Sequence, residues 1–208
     1  RCVAIWGPQE TLEQRHAVTS ELVEVAEAAG DKELMYDGHM FRFAVSVEVG
    51  DMRAAYAELE AQTRLAEGLR QPAQLWFEAV LRTTLATFEG RFAEAEELLH
   101  TAAKRGERAA GLLADVYKTI QLWALRREQG RLLQVERPLA DASRRFGMYD
   151  VLRCIQAHVA AELGDEQSAR AELHALAADG FDALPRNDDW IFEVCLLADA
   201  NRLVNDPI

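Results

Sequence analysis

Apolar residues recur along this chain at spacings of three and four, and single glycines break the stretches that show it. Four stretches align on such a glycine, at Gly50, Gly90, Gly130 and Gly164, spaced by 40, 40 and 34 residues. Five residues after each glycine stands Ala55, Ala95, Val135 or Ala169, and nine after it Leu59, Leu99, Leu139 or Leu173. An offset of four puts both on one helical face. Twelve after it come Gln62, Ala102, Ala142 and Leu176; five before it, Val45, Leu85, Leu125 and Val159; nine before it, Phe41, Leu81, Gln121 and Ile155.

The pattern predicts a helix, a tight turn whose glycine takes positive φ, and a second helix folded back on the first, with the small residue allowing close approach. One such pair cannot cover its own apolar faces, so each pair must stack on the next. Helices are expected at about 11 to 29, 31 to 49, 51 to 69, 72 to 89, 91 to 106, 109 to 129, 131 to 146, 148 to 163, 165 to 179 and 188 to 203. Pro72 suits a first-turn position, and Asn187 an N-cap with Asp188 and Asp189 against the helix dipole. Pro138 falls inside an expected helix, which should therefore kink or start late. The expected fold is an all-α solenoid of antiparallel helix pairs, about ten helices forming one domain over residues 1–208.

Composition agrees: half of the 208 residues are hydrophobic and five are proline, an α-rich balance. The formal charge of −12 argues against general nucleic-acid or anionic-membrane binding, which needs clustered Lys and Arg. No apolar run reaches membrane-spanning length, and no stretch has the form of a signal peptide. Cys2, Cys154 and Cys195 are odd in number and far apart, suggesting neither a disulfide framework nor a zinc motif. A reducing cytoplasm fits best. A first residue, Arg1, that is not methionine suggests a piece of a longer protein.

The glycine with its small residue at plus five and bulky residue at plus nine resembles the second half of the tetratricopeptide repeat, over about 31 to 180. The first-helix tryptophan and tyrosine of that repeat are absent, and the copy after Gly130 is degenerate. Leu125 to Arg131 and, more specifically, Ala177 to Trp190 are similar to the helical regions of bacterial multidomain regulators, which join an ATPase module to a nucleotide-cyclase or DNA-binding effector. The resemblance implies a relay domain within a larger signalling chain. No ATPase or cyclase motif is present in these residues.

No phosphate-binding glycine loop, nucleophile elbow, His-Glu-x-x-His or paired-cysteine metal motif occurs, so no catalysis, cofactor or metal is expected. His16, His39, His100, His158 and His174 are scattered and read as surface or packing residues. Glu96 with Glu97, and Asp188 with Asp189, are neighbours on helices, pointing about 100° apart and unable to converge on a substrate. Between Lys104 and Arg145 ten basic residues face five acidic ones. Within that segment Arg126, Arg127 and Arg131 form a candidate dock for an acidic peptide or domain; the alternative is pairing with acidic neighbouring helices. The aromatic pairs Trp76 with Phe77, and Tyr117 with Trp123, suit packing between pairs; the alternative, which the resemblance implies, is that they line the inner surface used for ligands. The resemblance puts Asp37, Glu48, Thr84, Thr87, Arg127, Glu128, His158 and Glu162 at offsets that face the inner surface.

The functional expectation is an interaction or ligand-sensing module of a bacterial regulator, binding a peptide or a protein domain, other domains of its own chain included. Two alternatives remain. One is a helical enzyme with a cavity site; the other is a structural or self-association scaffold, dimerising through its end helices.

Overall fold

The computed structural model describes residues 12–178, 180–181, 184–186 and 189–207. The fold is all-α: helices packed in consecutive pairs, with no strand among the described residues. The helices are α1 (Leu12–Ala29), α2 (Lys32–Glu48), α3 (Met52–Leu69), α4 (Pro72–Phe88), α5 (Phe92–Ala109), α6 (Leu112–Glu128), α7 (Glu136–Arg145), α8 (Asp150–Glu162), α9 (Glu166–Leu176) and α10 (Trp190–Val204). Each packs on its chain neighbour, and α4 also meets α6 and α8 meets α10. The four helices that precede the turn glycines, α2, α4, α6 and α8, are called first helices below, and their partners α3, α5, α7 and α9 second helices.

All four turns share one geometry. Gly50, Gly90, Gly130 and Gly164 have φ between 67° and 81°. Each glycine N–H donates to the carbonyl three residues back, and the next N–H to the carbonyl five back, as in Asp51 to Ser46 at 2.9 Å and Arg131 to Arg126 at 2.8 Å. This is the Schellman stop, which satisfies carbonyls that the helix end would otherwise leave open. Asp51 and Asp165 then cap the second helix, their carboxylates accepting the N–H groups of Ala54 and Ser168. The aligned residues five and nine after each glycine, and five before it, are all buried. So are the polar exceptions Gln62 and Gln121.

Differences from the expected boundaries have local causes. The helix predicted over 131–146 splits into a 3-10 turn, Leu132–Gln134, and α7. Pro138 is the third residue of α7, where its missing N–H costs nothing because first-turn N–H groups have no helical acceptor. The late start, rather than a kink, is the outcome. α5 runs three residues further than expected and α6 begins three later, because Gly111 turns at φ 51°. α9 ends at Leu176. Pro72 opens α4 as expected. Asp189 stands at the cap position of α10 with no side-chain capping bond, rather than inside the helix; Asn187 and Asp188 lie outside the described residues, as does Cys2.

Candidate functional site

Positions six, three and two before the turn glycine line up along successive first helices. They hold Thr84, Thr87 and Phe88 on α4; Ala124, Arg127 and Glu128 on α6; His158, Ala161 and Glu162 on α8. Spacings of three and four keep them on one stripe of each helix, and the packing order of the first helices joins the stripes into a ribbon. Two polar features sit along it.

The first is a groove of about 450 Å³ between α4 and α6, lined by Thr84, Thr87, Phe88, Ile120, Gln121, Ala124 and Glu128. Its floor is apolar, and Phe88 is 71% exposed. The hydroxyl of Thr84 donates to the Val80 carbonyl and that of Thr87 to the Thr83 carbonyl. The Gln121 amide nitrogen donates to Val80 at 2.7 Å and Thr84 at 3.1 Å. With these protons committed to the helices, the polar groups at the groove are oxygen acceptors and the Glu128 carboxylate. An occupant that brings an apolar side chain and an N–H or ammonium donor matches both.

The second feature joins α6, α8 and α10. His158 on α8 is 1% exposed; its Nε2 lies 2.9 Å from Asp199 Oδ2 on α10 and 3.5 Å from Glu162 Oε1 one turn on. At 2.9 Å from a carboxylate, Nε2 carries the proton and donates it. Arg127 donates from Nε and Nη2 to Glu162 at 2.9 and 2.7 Å, and Arg202 grips Asp199 Oδ1 likewise at 3.1 and 2.8 Å. The hydrogen bond from His158, then that from Arg202, holds the Asp199 carboxyl below its ordinary range. Trp123 meets the imidazole edge to face, with centroids 6.3 Å apart. The donor atoms of His158, Glu162 and Asp199 all lie within 4.8 Å of one another, close enough to share a cation. Both carboxylates, however, are already matched by guanidinium groups, so the arrangement is that of a neutralised network tying three helices together.

The structure therefore brings Thr84, Thr87 and Glu128 to one groove, and Arg127, His158 and Glu162 to the adjacent network. It does not bring the three arginines together. Arg126 donates to Glu96 of α5 at 2.7 Å and Arg131 stands 4.0 Å from the same carboxylate, whereas Arg127 faces the ribbon. Elsewhere in the basic segment Arg145 pairs with Asp115, Arg105 with Glu78 and Arg144 with Asp141. Glu48 pairs with Arg15 of α1. Asp37 stands on the first half of α2, away from both features. The expected Tyr117–Trp123 pair is split: Tyr117 joins Trp76 and Phe77 at 5.6 and 5.9 Å, while Trp123 packs on His158 and Phe192.

Sequence reasoning missed Asp199 and Arg202. They stand six and three residues before Asn205, which turns in the left-handed region (φ 49°, ψ 53°) where the other first helices have glycine. Asparagine is the other residue that takes this conformation readily, and that was the available signal. Compared with known proteins, the chain matches no family model, no curated protein and no solved structure.

Proposed function

We propose that this chain is a peptide- or domain-binding relay module of a bacterial signalling or transcriptional regulator, with no chemistry of its own. The binding face is the ribbon formed by the first helices. The observation that carries this reading is the groove between α4 and α6: an exposed phenyl ring over an apolar floor, edged by acceptors and one carboxylate. Such a surface suits a segment carrying a bulky apolar side chain with a lysine or arginine close by. The His158 network holds α10 against α6 and α8 beside the groove, so a shift of the groove walls is passed along the ribbon.

The test is selection of a displayed random-peptide library on the immobilised protein. The expected result is enrichment of an apolar residue next to a basic one, with affinity for the selected peptide falling about tenfold or more in Phe88→Ala and in Glu128→Lys. Arg131→Glu, on the outer turn, should leave it unchanged. Selection of no peptide, or of peptides indifferent to both groove substitutions, would overturn the reading.

A further inference from the structure

α6 lines two separate hollows. Ile120, Ala124 and Glu128 border the groove toward α4, and by helix period Asp115 and Lys118 fall on the opposite side. There α5 and α6 form a second cleft between them, whose two parts, of about 540 and 380 Å³, share Ala103, Glu107 and Lys118. Its walls belong to the interior helices α5, α6 and α7 and to the turn at Gly111.

α5 and α6 run antiparallel from Gly111, so residues equally far from that glycine face one another. Glu96 and Arg126, fifteen before it and fifteen after, are bonded at 2.7 Å. Glu107 and Asp115 stand four to either side, and Arg145 of α7 holds Asp115 at 3.3 Å. Lys104 and Lys118 stand seven to either side. Both are exposed, and neither is in an ion pair among the described residues. Two like charges therefore face across the middle of the cleft, between two ion pairs, with no carboxylate paired to either. The chain has three lysines beside twenty arginines, and two of the three stand here. A compact ammonium on a flexible stem can adjust to an incoming anion, while the guanidinium forks nearby are already engaged.

We propose that an acidic segment of a partner protein lies along this cleft, with a carboxylate seated between Lys104 and Lys118. An anion placed there removes the repulsion between the two ammonium groups and is attracted to each. A segment fits better than a small ion or metabolite, because the cleft is open along about 16 Å of α5 from Glu96 to Glu107, whereas small-molecule sites enclose most of their ligand. Toward the turn Leu112 is 52% exposed at the cleft, and Glu107, which has no ion pair among the described residues, repels a second acid. The segment therefore carries its acid at the lysines and an apolar residue beyond it, toward Gly111. The groove on the other side of α6 calls for a basic occupant, so the two surfaces are tested independently.

The test selects a displayed random-peptide library on protein carrying Phe88→Ala and Glu128→Lys, which takes the inner groove out of the selection. Peptides with an acid next to an apolar residue should be enriched. Fluorescence anisotropy of a labelled selected peptide should show affinity falling about tenfold or more in Lys104→Glu and in Lys118→Glu, and weakening as salt is raised. Arg64→Glu, an equal charge change at an exposed position of α3, should leave affinity unchanged, and circular dichroism checks that each variant keeps its helices. Selection of no acidic peptide, affinity indifferent to both lysine reversals, or an equal loss in Arg64→Glu would each overturn the proposal. So would lysine-dependent binding of phosphatidylserine vesicles or of inorganic phosphate with no peptide selected.

Discussion

Glu193 faces inward from α10 at 2% exposure, with one carboxylate oxygen lacking a hydrogen-bond partner. Burial, then the charges of Asp189 and Asp150, pushes its pKa up to about 7. The folded protein thus holds this proton more tightly than the unfolded chain. The stabilisation is complete below the unfolded glutamate value and falls away as pH rises through the window from about 4.5 to about 7. Glu193→Gln keeps the shape without the charge. It should raise stability at pH 8 by on the order of 2 kcal/mol and change it little at pH 5. Urea unfolding at the two pH values checks this, and an equal effect at both would show that the charge is not the cause. Nearby Cys154 is fully buried, and burial raises its thiol to about 12. Cys195 is exposed. Brief alkylation of the folded protein should therefore modify Cys195 and spare Cys154, as peptide mapping would read. None of this was legible in the sequence, where Glu193 is one acid among 35; its burial follows from how α10 lies on α8.

Among the elements, the parts set by local backbone rules were the legible ones. Turn glycines announce themselves because few other residues accept their φ, and the leucines nine residues on follow from helix period alone. The end of α10 was placed within one residue, at 203 against Val204, but with an asparagine where the other first helices have a glycine the helix was not aligned with them, and the histidine network lost two of its members. Glycines inside helices illustrate a further limit, since Gly106 of α5 and Gly68 of α3 look alike in sequence. A Cβ on Gly106 would lie 2.5 Å from the Ala114 methyl and 2.8 Å from Trp76 Nε1, whereas one on Gly68 would meet nothing within 4 Å. Gly68→Ala should thus stabilise by about 0.5 to 1 kcal/mol through helix propensity. Gly106→Ala should lose that gain and destabilise by about 1 to 3 kcal/mol, because α5, α6 and the Trp76 ring have to separate. Thermal melts of the two variants decide it; two shifts of the same sign would mean that the close approach at Gly106 is not tight.

Across the whole molecule the apolar core is uneven. One continuous cluster runs from Val116 and Trp123 of α6 through Leu152, Cys154 and Ile155 of α8 to Leu197 and Val204 of α10. The amino-terminal half holds smaller, separate clusters, one around Phe43, Leu59 and Leu85 and another around Trp76 and Val80. Much of what joins α2 to α5 is polar: His39 and Arg42 on Glu58, Arg82 between Glu78 and Glu60, and Tyr56 on Glu89 with Arg91. Partly exposed pairs of this kind contribute little each, far less than buried leucines do. In a stack whose elements hold mainly to their neighbours, such a gradient opens the weak end without the strong one. Hydrogen exchange should be slowest in α8, where Leu152 and Ile155 are fully buried, and should quicken progressively through α4 and α3 to α1. The gradient should steepen at raised salt, which screens the pairs of the amino-terminal half and leaves the carboxy-terminal core intact. Peptide-resolved exchange at two ionic strengths tests both statements. A single common rate for all the helices would mean that the stack opens as one unit and that the polar joints couple as firmly as the core.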